Sequence, residues 1–109
     1  MRRPECDPDD VRMEDVLCDF CRHAWGESLP MVEGHQGSCI CGDCLADAFR
    51  EAVLAERPDG APERCTLCLE DRPDAGWQRG GARACRRCVR QSAAVLQKDP
   101  DLGWRRPTA

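Results

Sequence analysis

Two stretches of the chain repeat the apolar spacing of one helical face. Leu45, Ala48, Phe49, Ala52 and Val53 fall at i, i+3, i+4, i+7 and i+8, and Val89, Ser92, Ala93 and Leu96 mark the same face further on. Pro58 and Pro100 stand beyond these stretches and are expected to stop both helices. Upstream of each helix the pattern is broken by glycines, Gly34 and Gly37 before Ile40 and Gly80 with Gly81 before Cys85, which predicts a short β-hairpin. The order hairpin then helix therefore occurs twice.

The flanking segments read differently. In an N-terminal arm, residues 1–17, the positions Asp9, Asp10, Val11, Met13, Val16 and Leu17 predict a short helix after Pro8. Pro58, Gly60 and Pro62 place a linker over residues 58–64, and the Pro-bounded residues 100–109 are expected to form a flexible tail. This leaves a first unit over residues 18–57 and a second over residues 65–99. Each spans about 40 residues, a size at which burial alone rarely outweighs chain entropy. With only 5% aromatic residues, the chain is not expected to build one large core.

The cysteines supply what the core lacks. Eight of the ten fall into four CxxC pairs: Cys18/Cys21, Cys41/Cys44, Cys65/Cys68 and Cys85/Cys88. Within the two units the pairs are separated by 19 and 16 residues, the spacing of four-cysteine zinc modules. Two CxxC turns brought together complete the four-coordinate shell that Zn2+ prefers, so two zinc ions per chain are expected, held by these eight cysteines. In both units the second pair opens the helix, where free backbone N–H groups and the positive end of the helix dipole favour thiolate. The expected architecture is a metal-dominated α+β arrangement of tandem treble-clef zinc fingers, each a CxxC knuckle, a hairpin and a helix. Zinc binding of this kind amounts to the folding energy of such a module, about 10–16 kcal/mol at neutral pH.

The first unit resembles the N-terminal zinc-binding domain of the ClpX protein unfoldase. The resemblance is carried by Cys18-Asp19-Phe20-Cys21, by Met31-Val32-Glu33-Gly34, by Ile40-Cys41-Gly42-Asp43-Cys44-Leu45, and by the helix through Phe49 and Val53. The gap is one residue longer than usual in that family, and Cys39 stands where an apolar side chain is customary. The second unit shares only the cysteine frame, with Leu67 in the place of Phe20. The resemblance implies a duplicated, non-catalytic domain that dimerises and recruits protein partners or substrates. It implies no motor: a phosphate loop needs GK[ST], and the one lysine, Lys98, lies between Gln97 and Asp99. Two such units in one chain could pair as an intramolecular pseudo-dimer, or the chain as a homodimer.

Other residues admit competing readings. His23 and His35 could each replace a cysteine ligand, although the four pairs already complete both shells. Cys6 and Cys39 are left over; Cys39 could compete with Cys41 for metal, but a small semi-buried hairpin thiol is the plainer reading. Trp25, Leu29, Met31 and Val32 form an apolar group in the first gap, either covering the metal and helix or presenting a partner-binding patch. Trp77 and Trp104 pose the same question.

Charge divides along the chain. Residues 1–63 carry 6 basic and 15 acidic side chains and residues 64–109 carry 10 basic and 5 acidic, within a total of −4. Arg79, Arg83, Arg86, Arg87, Arg90, Arg105 and Arg106 beside Trp77 could touch phosphates while a tryptophan stacks on a base, which gives the alternative function of a nucleic-acid-binding or transcription-associated zinc protein. The overall acidity weighs against it. Disulfide exchange would call for a single CxxC on a βαβ scaffold, which the pattern lacks, and iron is a second candidate metal for four thiolates. The opening MRRPECDPDD is charged and carries no hydrophobic signal segment, so a disulfide framework is set aside and a cytoplasmic, soluble chain without membrane contact is expected. The expected role is a zinc-binding protein-interaction or adaptor module, not an enzyme.

Overall fold

A computed structural model of the chain describes residues 1–26 and 28–108. Strands β1 (Met31–Glu33) and β2 (Cys39–Cys41) pair antiparallel, Val32 opposite Ile40, and lead into helix α1 (Gly42–Phe49). The second half repeats the order: β5 (Trp77–Arg79) pairs with β6 (Ala82–Ala84), Gln78 opposite Arg83, and leads into α2 (Arg86–Lys98). Between the halves, β3 (Glu63–Arg64) and β4 (Asp71–Arg72) form a two-residue ladder around the third CxxC turn.

The helical faces are those the spacing predicts. Leu45, Ala48, Phe49 and Ala52 are buried with Val53 packed beside them, and Cys88, Val89, Ser92, Ala93 and Leu96 are buried on α2. The first helix ends early, however. After Phe49 it widens into a π turn over Arg50–Leu54, and Glu56 then adopts left-handed backbone (φ 50°), before Pro58 is reached. The second helix ends at Lys98, ahead of Pro100, as expected.

One expectation for the flanking segments needs correction. The arm folds no helix beyond a single 3-10 turn at Met13–Asp15, because its aspartates are taken up in local turns: the Asp9 N–H donates to Asp7 Oδ1 at 2.9 Å and the Arg12 N–H to Asp15 Oδ2 at 3.1 Å. The linker is tied to the second unit, since Gly60 N–H donates to the Pro73 carbonyl at 2.7 Å and Glu63–Arg64 joins a ladder. The tail is docked through Trp104, whose Nε1–H donates to the Gly42 carbonyl at 2.9 Å and whose ring packs on the core.

The larger departure is that the halves share one core. Helices α1 and α2 pack together, and Phe20 of the first half stacks on Trp77 of the second with ring centroids 5.3 Å apart. No helix among the described residues is long and apolar enough to cross a membrane.

Candidate metal centres

Both CxxC turns that open a half have the same local form. The residue after the second cysteine, Arg22 or Leu69, has left-handed backbone (φ 68° and 63°), and its N–H donates to the carbonyl of the first cysteine at 2.9 Å. The turn closes when the Cys18 N–H donates to His23 at 3.0 Å, or the Cys65 N–H to Glu70 at 2.9 Å. The other two cysteines of each half come from the helix start: Cys41 and Cys85 are the N-cap residues of α1 and α2, and Cys44 and Cys88 lie in their first turns.

These turns meet the helix starts as two groups, Cys18, Cys21, Cys41, Cys44 and Cys65, Cys68, Cys85, Cys88, each with its sulfurs within 4.8 Å of one another. A tetrahedral metal about 2.3 Å from each sulfur requires neighbouring sulfurs about 3.8 Å apart. Cys21 and Cys41 are 3.6 Å apart, Cys65 and Cys88 3.8 Å, and Cys68 and Cys85 3.9 Å. All ten thiols are free, and these separations far exceed the roughly 2.05 Å of a disulfide. The donor set therefore fits a metal of tetrahedral preference.

Backbone hydrogen bonds point at the sulfurs as they would at thiolates. Cys18 Sγ accepts from the Phe20 and Cys41 N–H groups at 3.4 Å, Cys41 Sγ from Cys44 N–H at 3.4 Å, and Cys65 Sγ from Cys85 N–H at 3.3 Å. The same contacts move the cysteines of each group in opposite directions. The hydrogen bond from Cys41 brings Cys18 down to about 4, and hydrogen bonds from Cys85 and Cys88 lower Cys65. The donating partners are correspondingly raised, Cys41 by Cys18, Cys88 by Cys65, and Cys85 to about 11 by Cys65, while burial first of all pushes Cys44 up to about 12. A buried dication would reverse this order, since it favours the thiolate form of all four.

Two arginines lie against the sulfurs. Arg79 Nη1 is 3.5 Å from Cys44 Sγ, although Arg79 belongs to the second half, and the hydrogen bond to Cys44 raises its pKa. Arg72 is raised likewise, first by the neighbouring Cys68 sulfur and also by its ion-pair partner Glu70. Sequence reasoning assigned neither role. The guanidinium of Arg79 reaches across from the other half, and no local pattern records such a contact.

The histidines lie outside both groups. His23 Nδ1 is 3.5 Å from Cys21 Sγ on the exposed side, a neighbour of the sulfur, and exposed His35 lines a groove beside Cys68 and Cys88. Cys39 is 1% exposed on β2, its thiol raised mainly by burial, and Cys6 stands apart on the arm.

Of the four apolar residues of the first gap, Leu29, Met31 and Val32 are partly buried against the core and Trp25 is exposed. Trp25 and Met31 line a hollow of about 180 Å³ with Cys39, whereas Val32 faces the groove of about 340 Å³ shared with Leu67 and Val95. Leu29 packs on the core. The arginine run is engaged in part. Arg83 is buried against Glu63 (3.2 Å) and Asp74 (3.5 Å), Arg86 Nε donates to the Ala52 carbonyl at 2.8 Å, and Arg106 lies over the Phe49 ring. Arg79, Arg87, Arg90, Arg105 and Arg106 are all exposed. Compared with known proteins, the chain is matched by no family model, no curated protein and no solved structure.

Proposed function

We propose that this chain is a tandem zinc protein of the treble-clef kind, in which the eight cysteines hold two structural Zn2+ ions and the folded pair of units serves as a protein-interaction module. The observation that carries the reading is the pair of four-sulfur groups, with sulfur separations that suit tetrahedral thiolate coordination. Four thiolates close the shell and leave no position for water or substrate, which favours a structural over a catalytic metal. Zinc is preferred to iron as the default for a closed all-sulfur site with no redox task.

The ClpX-type resemblance adds an adaptor role and self-association. In that reading the two halves stand in for the two chains of a dimer, and their common core of Phe20, Trp77, α1 and α2 supports it. Recognition of nucleic acid by the arginine run is the weaker reading, because the chain is acidic overall and Arg83 and Arg86 are spent on internal contacts.

Native mass spectrometry on protein purified without added metal tests the assignment. Two zinc ions per chain and loss of the helical circular dichroism on chelation are expected. A metal-free, folded chain with oxidised cysteines would overturn it.

A further inference from the structure

Each sulfur group is built from one half of the chain, and the hairpin of the other half touches its CxxC turn. Gly80, at the turn between β5 and β6, lies so close to the CxxC turn of the first half that a Cβ there would sit 2.5 Å from the Phe20 carbonyl. The Gly80 carbonyl in turn accepts from Arg22 Nη2 at 3.1 Å. Reciprocally, a Cβ on Gly34 at the end of β1 would sit 2.6 Å from the Leu67 carbonyl, which accepts from the His35 N–H at 2.8 Å. Phe20 and Leu67 hold the same place in the repeat, immediately before the second cysteine of a CxxC turn.

Arg79 makes the exchange electrostatic as well as steric. It stands at the end of β5, its guanidinium 4.7 Å over the Trp77 ring, with Nη2 3.1 Å from Asp47 Oδ2 and Nη1 3.5 Å from Cys44 Sγ. A dication in four thiolates leaves a net −2, and an outer guanidinium donating to one sulfur both offsets that charge and fixes the sulfur's direction.

We propose that the two metal sites fill cooperatively, with Arg79 as a positioning residue through which the second half completes the first site. The inference rests on the zinc reading above. Metal in the second group orders the CxxC turn and helix start that carry β5 and β6. That hairpin then seats Gly80 on the first CxxC turn and Arg79 on Cys44. Metal in the first group likewise orders the strand end that rests on Leu67.

Zinc titration of the reduced apo chain, followed by native mass spectrometry, separates the possibilities. Two independent equal sites leave about half of the molecules with one ion at half-saturation, whereas a tenfold coupling lowers that species to about a quarter. A one-ion population of about a quarter or less is expected. Arg79→Ala, which removes a half-exposed side chain, should weaken at least one site about 10- to 100-fold against a competing chelator and raise that population to about half or above. It should also shift the thiolate-to-metal charge-transfer absorbance of the Co2+-loaded protein, with Arg79→Lys restoring part of each effect. Two ions bound with an independent distribution, or an Arg79→Ala protein indistinguishable in both distribution and Co2+ spectrum, would overturn the coupling while leaving the zinc reading intact. Failure to bind any metal would remove both.

Discussion

Replacing Trp77 by alanine tests whether the two halves form one cooperative structure. The indole is 4% exposed, stacks on Phe20 across the boundary at 5.3 Å with 30° between the ring planes, and carries the Arg79 guanidinium on its face. Truncation of a buried aromatic of this size costs about 3–5 kcal/mol, including the lost transfer energy and the cavity left behind. The lost stack contributes about 0.5–1.5 kcal/mol of that. A small domain has about 5–15 kcal/mol to lose, so Trp77→Ala removes about a fifth of it or more. The assay is guanidinium unfolding of the metal-loaded protein at fixed free zinc, read by far-UV circular dichroism, because bound ligand shifts apparent stability with its concentration. A single transition at lower denaturant is expected, with Trp77→Phe recovering part of the loss. A shift below about 1 kcal/mol would refute the shared-core argument. So would two transitions of which only one moves.

Other outcomes follow from local geometry. In the metal-free groups Cys44 is pushed up to about 12 and Cys85 to about 11, so both are protonated at neutral pH and zinc must expel those protons. Binding should strengthen as pH rises and weaken as pH falls. Calorimetry in buffers of different ionisation enthalpy should show at least about one proton released per ion, and proton-neutral binding would contradict the assignment. Gly80→Ala places a Cβ against the Phe20 carbonyl at a position of φ +59°, and should destabilise the loaded protein by about 1–3 kcal/mol in the same unfolding assay. An unchanged midpoint would mean that the turn does not rest on the first half. Trp104→Ala removes the 2.9 Å hydrogen bond to Gly42 and should release the tail to limited proteolysis, which an unaltered cleavage pattern would exclude.

The parts legible in the sequence were those with a local signal. The CxxC turns recur with the same cysteine pairing, the glycine pairs mark both hairpins, and α2 buries Val89, Ser92, Ala93 and Leu96 as its spacing predicts. The early end of α1 left no such mark, since Pro58 was the nearest breaker and the backbone turns at Glu56 instead. Contacts between distant segments were also silent. Trp77 on Phe20, Arg79 on Cys44 and Trp104 on Gly42 each join residues far apart in the chain, and no periodicity encodes them. Nor did the basic run announce that Arg83 would be buried between Glu63 and Asp74. A guanidinium with enough internal partners serves the fold, and composition alone does not separate it from one facing solvent.

The reciprocal seating of Gly34 on Leu67 and Gly80 on Phe20 bears on how the chain could be divided. A cut within residues 58–62 severs only the peptide backbone between the two halves and leaves their mutual surface whole. Each fragment would then carry a bare CxxC turn and one ring of the Phe20–Trp77 stack. Such fragments are complementary in shape, so two separately expressed pieces would reassemble into the parent fold, and two copies of the intact chain could trade halves to make an intertwined pair.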